Sequence, residues 1–108
     1  DIFPIYKNAD NSINDFTAIR EAEELLKNPS LSVEKVREIL SVIISAKPRV
    51  GKFHSDWKAT ALKLQGLAHE KLGEDLKAIK AYEEAISLNP KVGVKRKMGA
   101  LKKKKGLC

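Results

Sequence analysis

Cysteine is almost absent from this 108-residue chain: Cys108, the last residue, is the only one. No internal disulfide can form, so packing alone must hold the fold, and a reducing compartment is the default: the cytoplasm, or the nucleus in a eukaryote. A poorly held terminus is also a poor place for a catalytic or metal-binding thiol. The two histidines, His54 and His69, have no cysteine or second histidine at metal-ligand spacing. Neither a P-loop nor a GxGxxG stretch occurs, and Gly51-Lys52 stands without the rest of a phosphate loop. The acidic pairs Glu23-Glu24 and Glu83-Glu84 are adjacent on helical segments, so their side chains diverge by about 100° and form no carboxylate dyad. These absences argue against an enzyme, a cofactor site and a metal site.

Long apolar runs are missing too. The longest uncharged stretch, ILSVIISA at 39–46, has 8 residues, against about 20 needed to span a bilayer. No basic-then-apolar leader opens the chain. It begins at Asp1 rather than methionine and closes on KKKKGLC, which reads as a piece of a longer protein.

Acidic residues are missing from one place in particular. Residues 91–108 hold 8 basic side chains and no acidic ones, whereas residues 1–48 carry a net charge of −2 and residues 49–90 a net +1. The overall +7 is therefore a C-terminal property.

What is present is helical periodicity. Residues 1–12 hold Pro4 and several turn formers and read as an extended segment. Ser12 with Asp15 resembles a capping box, and Ile13, Phe16, Ile19, Ala22 and Leu26 make one apolar stripe over 13–27. Asn28-Pro29-Ser30 ends that helix. Ser32 can cap a second helix that buries Val33, Val36, Ile39, Leu40, Ile43 and Ile44 and stops at Pro48. Residues 49–54 read as a loop, and a third helix follows over 56–72, whose inner face is Ala61, Leu62, Gln65, Ala68 and Leu72; residues 49–58 are the connecting length between the two helical units. Gly73 caps it. A fourth helix carries Leu76, Ile79, Tyr82, Ala85 and Ile86 and ends at Asn89-Pro90. The same Asn-Pro starts a fifth helix that buries Val94, Met98 and Leu101 and is weakened by Gly93, Gly99 and Gly106. Helix follows helix across short turns with no strand pattern. The fold class is all-α, with antiparallel hairpins.

One stretch is more specific. Residues 59–92 read Leu62-x2-Gln65-Gly66-x2-His69, then Ala78-x3-Tyr82-x2-Ala85-x4-Pro90. The pattern resembles the tetratricopeptide repeat, W-x2-L-G-x2-Y followed by A-x3-F and a closing Pro. Leu62, Gln65 and His69 depart from the large apolar types of the first half; Gly66 and the second half match. Small residues at 66, 78 and 85 allow two helices to approach closely, and Tyr82 is the knob between them. Val36, Leu40, Ile43 and Pro48 stand at the same spacing earlier, so 13–48 reads as a divergent copy. The resemblance implies a short solenoid of two hairpins, 13–48 and 59–90, with 91–108 as a basic capping helix and tail.

The resemblance also implies a scaffold that binds a peptide or partner protein along the first helices of the pairs. The residues it would present are Thr17, Glu21 and Glu24 from the first unit, Thr60, Lys63, Leu67 and Glu70 from the second, and Lys97, Leu101 and Lys104 from the fifth helix. The basic end favours an acidic partner. In the chaperone-binding sub-family an asparagine follows the clamp lysine by four residues; here Leu67 follows Lys63, so no chaperone carboxylate clamp is expected. Two hairpins and a cap are few for an independent array, which leaves self-association open. The alternative reading is non-specific contact with nucleic acid through Lys91, Lys95, Arg96, Lys97, Lys102, Lys103, Lys104 and Lys105. No aromatic side chain is interleaved there for base stacking.

Overall fold

The computed structural model describes residues 15–50 and 55–106, with side chains from 17–48 and 55–106. The N-terminal segment 1–12, the Ser12 cap, the Ile13 and Phe16 side chains, Gly51-Lys52, His54 and Cys108 fall outside them. Among the described residues five α-helices follow one another: α1 Asp15–Leu26, α2 Val33–Val50, α3 Ser55–Lys71, α4 Asp75–Leu88 and α5 Lys95–Lys104. No strand occurs among them, and none of the helices is long and apolar enough to cross a membrane.

Local chemistry explains most of the helix ends. The α1–α2 turn is an Asx turn in which Asn28 Oδ1 accepts from the Ser30 N–H at 2.9 Å. Ser32 Oγ accepts from the Lys35 N–H at 3.2 Å, the expected cap of α2. Pro48 does not stop α2, as its sequence context suggests, because the helix runs on to Val50. A proline in the last turn removes one intrahelical bond and leaves the others intact. With α3 starting at Ser55, the connection shrinks to four residues, 51–54. The fifth helix is also shorter than its pattern suggests. Pro90–Val92 forms a single 3-10 turn, capped by Asn89 Oδ1 on the Lys91 N–H at 3.0 Å. Gly93, at φ 84°, then breaks the run, and α5 begins at Lys95.

Two apolar clusters hold the helices together. The first joins Ile19, Ala22 and Leu26 of α1 to Val36, Ile39, Leu40, Ile43 and Ala46 of α2 and to Ala61, Leu64 and Ala68 of α3. The second joins Ala78, Ile79 and Tyr82 of α4 to Val94 and Leu101. Leu67 packs against both. Helix α3 therefore lies between neighbours, and this is why it buries Ala59, Ala61, Leu62, Leu64, Gly66 and Ala68, which point in most directions around its axis. Two residues expected on the buried face of α2 are exposed instead: Val33 is 56% exposed and Ile44 45%. The α2 core stripe is centred on Ile39 and Ile43, and these two residues lie on its flank.

At the centre of the α3–α4 hairpin, Gly66 meets the fully buried ring of Tyr82. A Cβ added at Gly66 would lie 2.3 Å from Tyr82 Cε1 and 2.5 Å from Cδ1. At Gly99, inside α5, a Cβ would meet nothing within 4 Å. The same substitution at the two sites therefore has opposite expected outcomes. Gly66→Ala should lower stability by roughly 1–3 kcal/mol through overpacking, in spite of alanine's better helix propensity. Gly99→Ala should raise it by about 0.5–1 kcal/mol. Urea unfolding followed by circular dichroism measures both. Equal effects of one sign at the two positions would show that the Gly66–Tyr82 contact does not set the hairpin.

Candidate partner-binding groove

Helices α1 and α3 run in the same direction, and between them lies a groove of about 280 Å³. It is lined by Ile19, Arg20 and Glu23 of α1 and by Asp56, Trp57, Thr60 and Lys63 of α3. Ile19, a core residue, lies at its base. Trp57 is half-buried and rests its apolar body on the first cluster. Lys63 Nζ reaches across to Glu23 Oε2 at 3.6 Å, tying the two helices together and balancing charge within the groove. Asp56, in the first turn of α3, is well placed against the positive end of that helix. The surface thus combines an apolar base with polar walls whose charges balance. It is suited to binding a side chain and its flanking backbone.

The residues expected in this groove divide in several ways. Thr60 and Lys63 line it. Thr17, Glu21 and Glu24 lie on the neighbouring strip of α1; Thr17 and Glu21 are half-buried, and Glu24 pairs with Lys27 at 3.1 Å. The α1 strip that faces α3 is Ile19, Arg20 and Glu23. Leu67 is half-buried between the two clusters. Glu70 accepts a hydrogen bond from the Tyr82 hydroxyl. Leu101 is not on the open face expected of it: at 7% exposure it belongs to the second cluster. Lys97 is exposed, and Lys104 is bound to Asp75 at 3.2 Å. Trp57 was missed. The sequence signal for it is that the only tryptophan stands one turn before Thr60, in a helical segment with few large apolar residues.

The basic segment is partly neutralised from within. Lys104 and Lys105 both bind the buried carboxylate of Asp75, at 3.2 and 3.6 Å, and Lys102 binds Glu83 at 3.4 Å. A carboxylate at 7% exposure needs such partners, because leaving a charge buried and unpaired is costly. Lys91, Lys95, Arg96, Lys97 and Lys103 are exposed and make no ion pair among the described residues.

A second, polar cavity of about 240 Å³ lies over α3 and α4, lined by Gln65, His69, Lys77, Lys80, Ala81 and Glu84. Its histidine belongs to the α3–α4 turn. The Gly73 N–H donates to the Glu70 carbonyl at 3.0 Å and the Glu74 N–H to the His69 carbonyl at 2.8 Å, with Gly73 at φ 75°. This is a Schellman motif, in which the residues at the positions of His69 and Glu74 frequently share an apolar contact. Here they share a hydrogen bond instead, His69 Nδ1 to Glu74 Oε1 at 2.9 Å. That bond, helped by Lys77 and Arg37, holds the Glu74 carboxyl below its ordinary value of 4.5. Burial and the neighbouring Glu70 push the Tyr82 phenol well above its usual range. Among the described residues no three His, Cys, Asp or Glu side chains come together as metal ligands would.

Residues 59–92, the segment that forms α3, α4 and the turn after them, match the tetratricopeptide repeat family model. No curated protein matches the chain, and no solved structure matches it. The α3–α4 hairpin is thus similar to a tetratricopeptide repeat over the matched segment, which is less than half of the chain.

The lowered Glu74 carboxyl predicts a pH dependence. A carboxyl that is more acidic in the folded chain contributes stability at pH values above its unfolded value, and that contribution fades as pH falls through the folded one. Glu74→Gln should therefore unfold at lower urea than wild type at pH 7 and at about the same urea near pH 3. A difference that persists at acid pH would trace the loss to packing at the turn rather than to charge.

Proposed function

We propose that this chain is a protein–protein interaction module that takes an extended segment of a partner protein into the α1–α3 groove, centred on Trp57. The tetratricopeptide repeat supports the general role. The carrying observation for the site is the groove itself, where an indole and an aliphatic floor are framed by two cations and two carboxylates between the first helices of the two hairpins. Because Lys63 and Glu23 already balance one another, the anchoring side chain is aromatic or aliphatic rather than charged. Large apolar anchors filling such pockets dominate the energetics of recognition. Beyond Lys63 the stripe continues to Leu67 and Glu70, which carry no spare donor for a terminal carboxylate, so the chaperone clamp is not part of this reading. Exposed Lys97 at the far end adds a preference for acidic residues at one end of the bound segment. The role is binding and assembly, with no catalytic step.

Non-specific nucleic-acid contact is the weaker reading. Lys102, Lys104 and Lys105 are engaged with Glu83 and Asp75, which lowers the number of phosphates the segment can neutralise.

Trp57 is the single tryptophan and so reports on its own groove. Capture of partners from a lysate with the intact chain should fall about tenfold when Thr60→Arg fills the groove. Captured proteins, once identified, should shift Trp57 emission on titration. Unchanged capture by Thr60→Arg would move the binding surface off the α1–α3 groove.

A further inference from the structure

Helix α2 carries a second stripe beside the one it buries. Val33, Arg37, Leu40 and Ile44 follow one another at spacings of four, three and four residues, so they share one side of the helix over about 16 Å. Leu40, at 8% exposure, is the floor of a shallow groove of about 280 Å³ that Arg37, Ser41 and Ile44 also line. Three large apolar side chains stand exposed among the described residues, and two of them, Val33 and Ile44, are on this stripe. Single exposed apolar residues are ordinary, but two in line with an apolar floor make a continuous surface. Alternate four- and three-residue spacing is also the seam by which one helix packs along another. Helices α1 and α3 join α2 on its Ile39–Ile43 side, so among the described residues this seam has no helix on it.

Charge says what would cover it. Arg37 is exposed within the stripe and makes no ion pair among the described residues. Glu74 feels its charge but is already bonded to His69 and paired with Lys77. Covering the stripe therefore places a cation inside an apolar contact, and such a cation needs a carboxylate opposite it. One margin of the stripe is acidic: Glu34 and Glu38, one turn apart, are both exposed and make no ion pair among the described residues. A second copy of the chain fits this pattern poorly. Two α2 helices packed in parallel set Arg37 against Arg37, and packed antiparallel they set one acidic margin against the other.

We propose that the Val33–Ile44 stripe of α2 is a docking surface, separate from the α1–α3 groove, for an amphipathic helix of a partner protein whose apolar seam carries one carboxylate and whose margin carries cations. The apolar side chains of that seam rest on Val33, Leu40 and Ile44, the carboxylate meets Arg37, and the cations meet Glu34 and Glu38. The carboxylate fixes the register, because a shift by one turn leaves Arg37 covered by an apolar side chain.

The probe is a synthetic, fluorescently labelled helical peptide with leucines at alternating four- and three-residue spacing, one glutamate in the middle of that seam and lysines along both margins. It is titrated against the intact chain and followed by fluorescence anisotropy. Binding should fall at least about tenfold with Ile44→Asp, and by as much with Arg37→Glu. The Arg37→Glu variant should regain binding when lysine replaces the central glutamate of the peptide. Both positions are exposed, so the variants should keep the wild-type urea melt; Arg37→Gln, which adds no repulsion, serves the same comparison. Thr60→Arg should bind the peptide as wild type does, which keeps this surface separate from the groove. No binding by the wild-type chain, or no recovery with the charge-swapped pair, would overturn the proposal. Equal binding of a peptide with serines for its leucines would also overturn it, by reducing the face to a charge contact. So would concentration-dependent dimers in sedimentation that Ile44→Asp abolishes, which would give the face to a second copy of the chain. Weak binding that Phe3→Asp/Tyr6→Asp strengthens would give it to residues 1–12 of the same chain, with the same consequence.

Discussion

The ring of Tyr82 occupies the space that any side chain at position 66 would need, so α3 and α4 meet with an aromatic ring against bare backbone. Much else follows from that distance. It brings Ala78 and Ala85 of α4 into the buried interior beside Tyr82. It carries the Tyr82 hydroxyl to the Glu70 carboxylate, so the one polar atom on the buried ring is satisfied. It also places Tyr82 in the cluster that receives Val94 and Leu101, and in this way the hairpin supports the last helix.

Helix α3 connects the two halves. Its residues take part in the first cluster through Ala61, Leu64 and Ala68, while Leu67 reaches both. A helix packed on several sides shows no clean apolar stripe, because small and apolar residues are needed all round. The same helix carries Trp57, Thr60 and Lys63 into the groove and His69 into the turn, so the groove and the hairpin core share one rigid element. Positioning a binding surface on a helix fixed by two cores reduces the ordering that a partner must impose.

Electrostatics separates the two faces of the C-terminal helix. Asp75 is buried at the start of α4, and two lysines from the end of α5 reach it. The ion pairs and the burial of Leu101 act together, since a buried carboxylate is tolerable only where cations are held close, and Leu101 holds them there. The charge that stays outside, at Lys95, Arg96, Lys97 and Lys103, is thus a smaller and more directional feature than the run of lysines implies.

Composition and spacing were enough for the all-α class, the helix order and the tetratricopeptide character of 59–92, because helix breaks, small residues and a single large knob are local patterns along the chain. They identified Ser32 as a cap, Gly73 as a helix terminator and Tyr82 as a core residue for the same reason. Other features depend on how the helices are turned about their own axes. Ile19, Arg20 and Glu23, rather than Thr17, Glu21 and Glu24, face α3. Val33 and Ile44 stay exposed on an otherwise apolar stripe. Leu101 is buried, and three of the eight C-terminal cations are held by Glu83 and Asp75. Periodicity gives the width of a helix's apolar stripe, but which neighbour lies beside each edge of that stripe is set by contacts distant in sequence. The chain by itself therefore determined its helices and its one close-packed hairpin, whereas the groove at Trp57 and the outward face of α5 were decided only when packing set each helix's rotation.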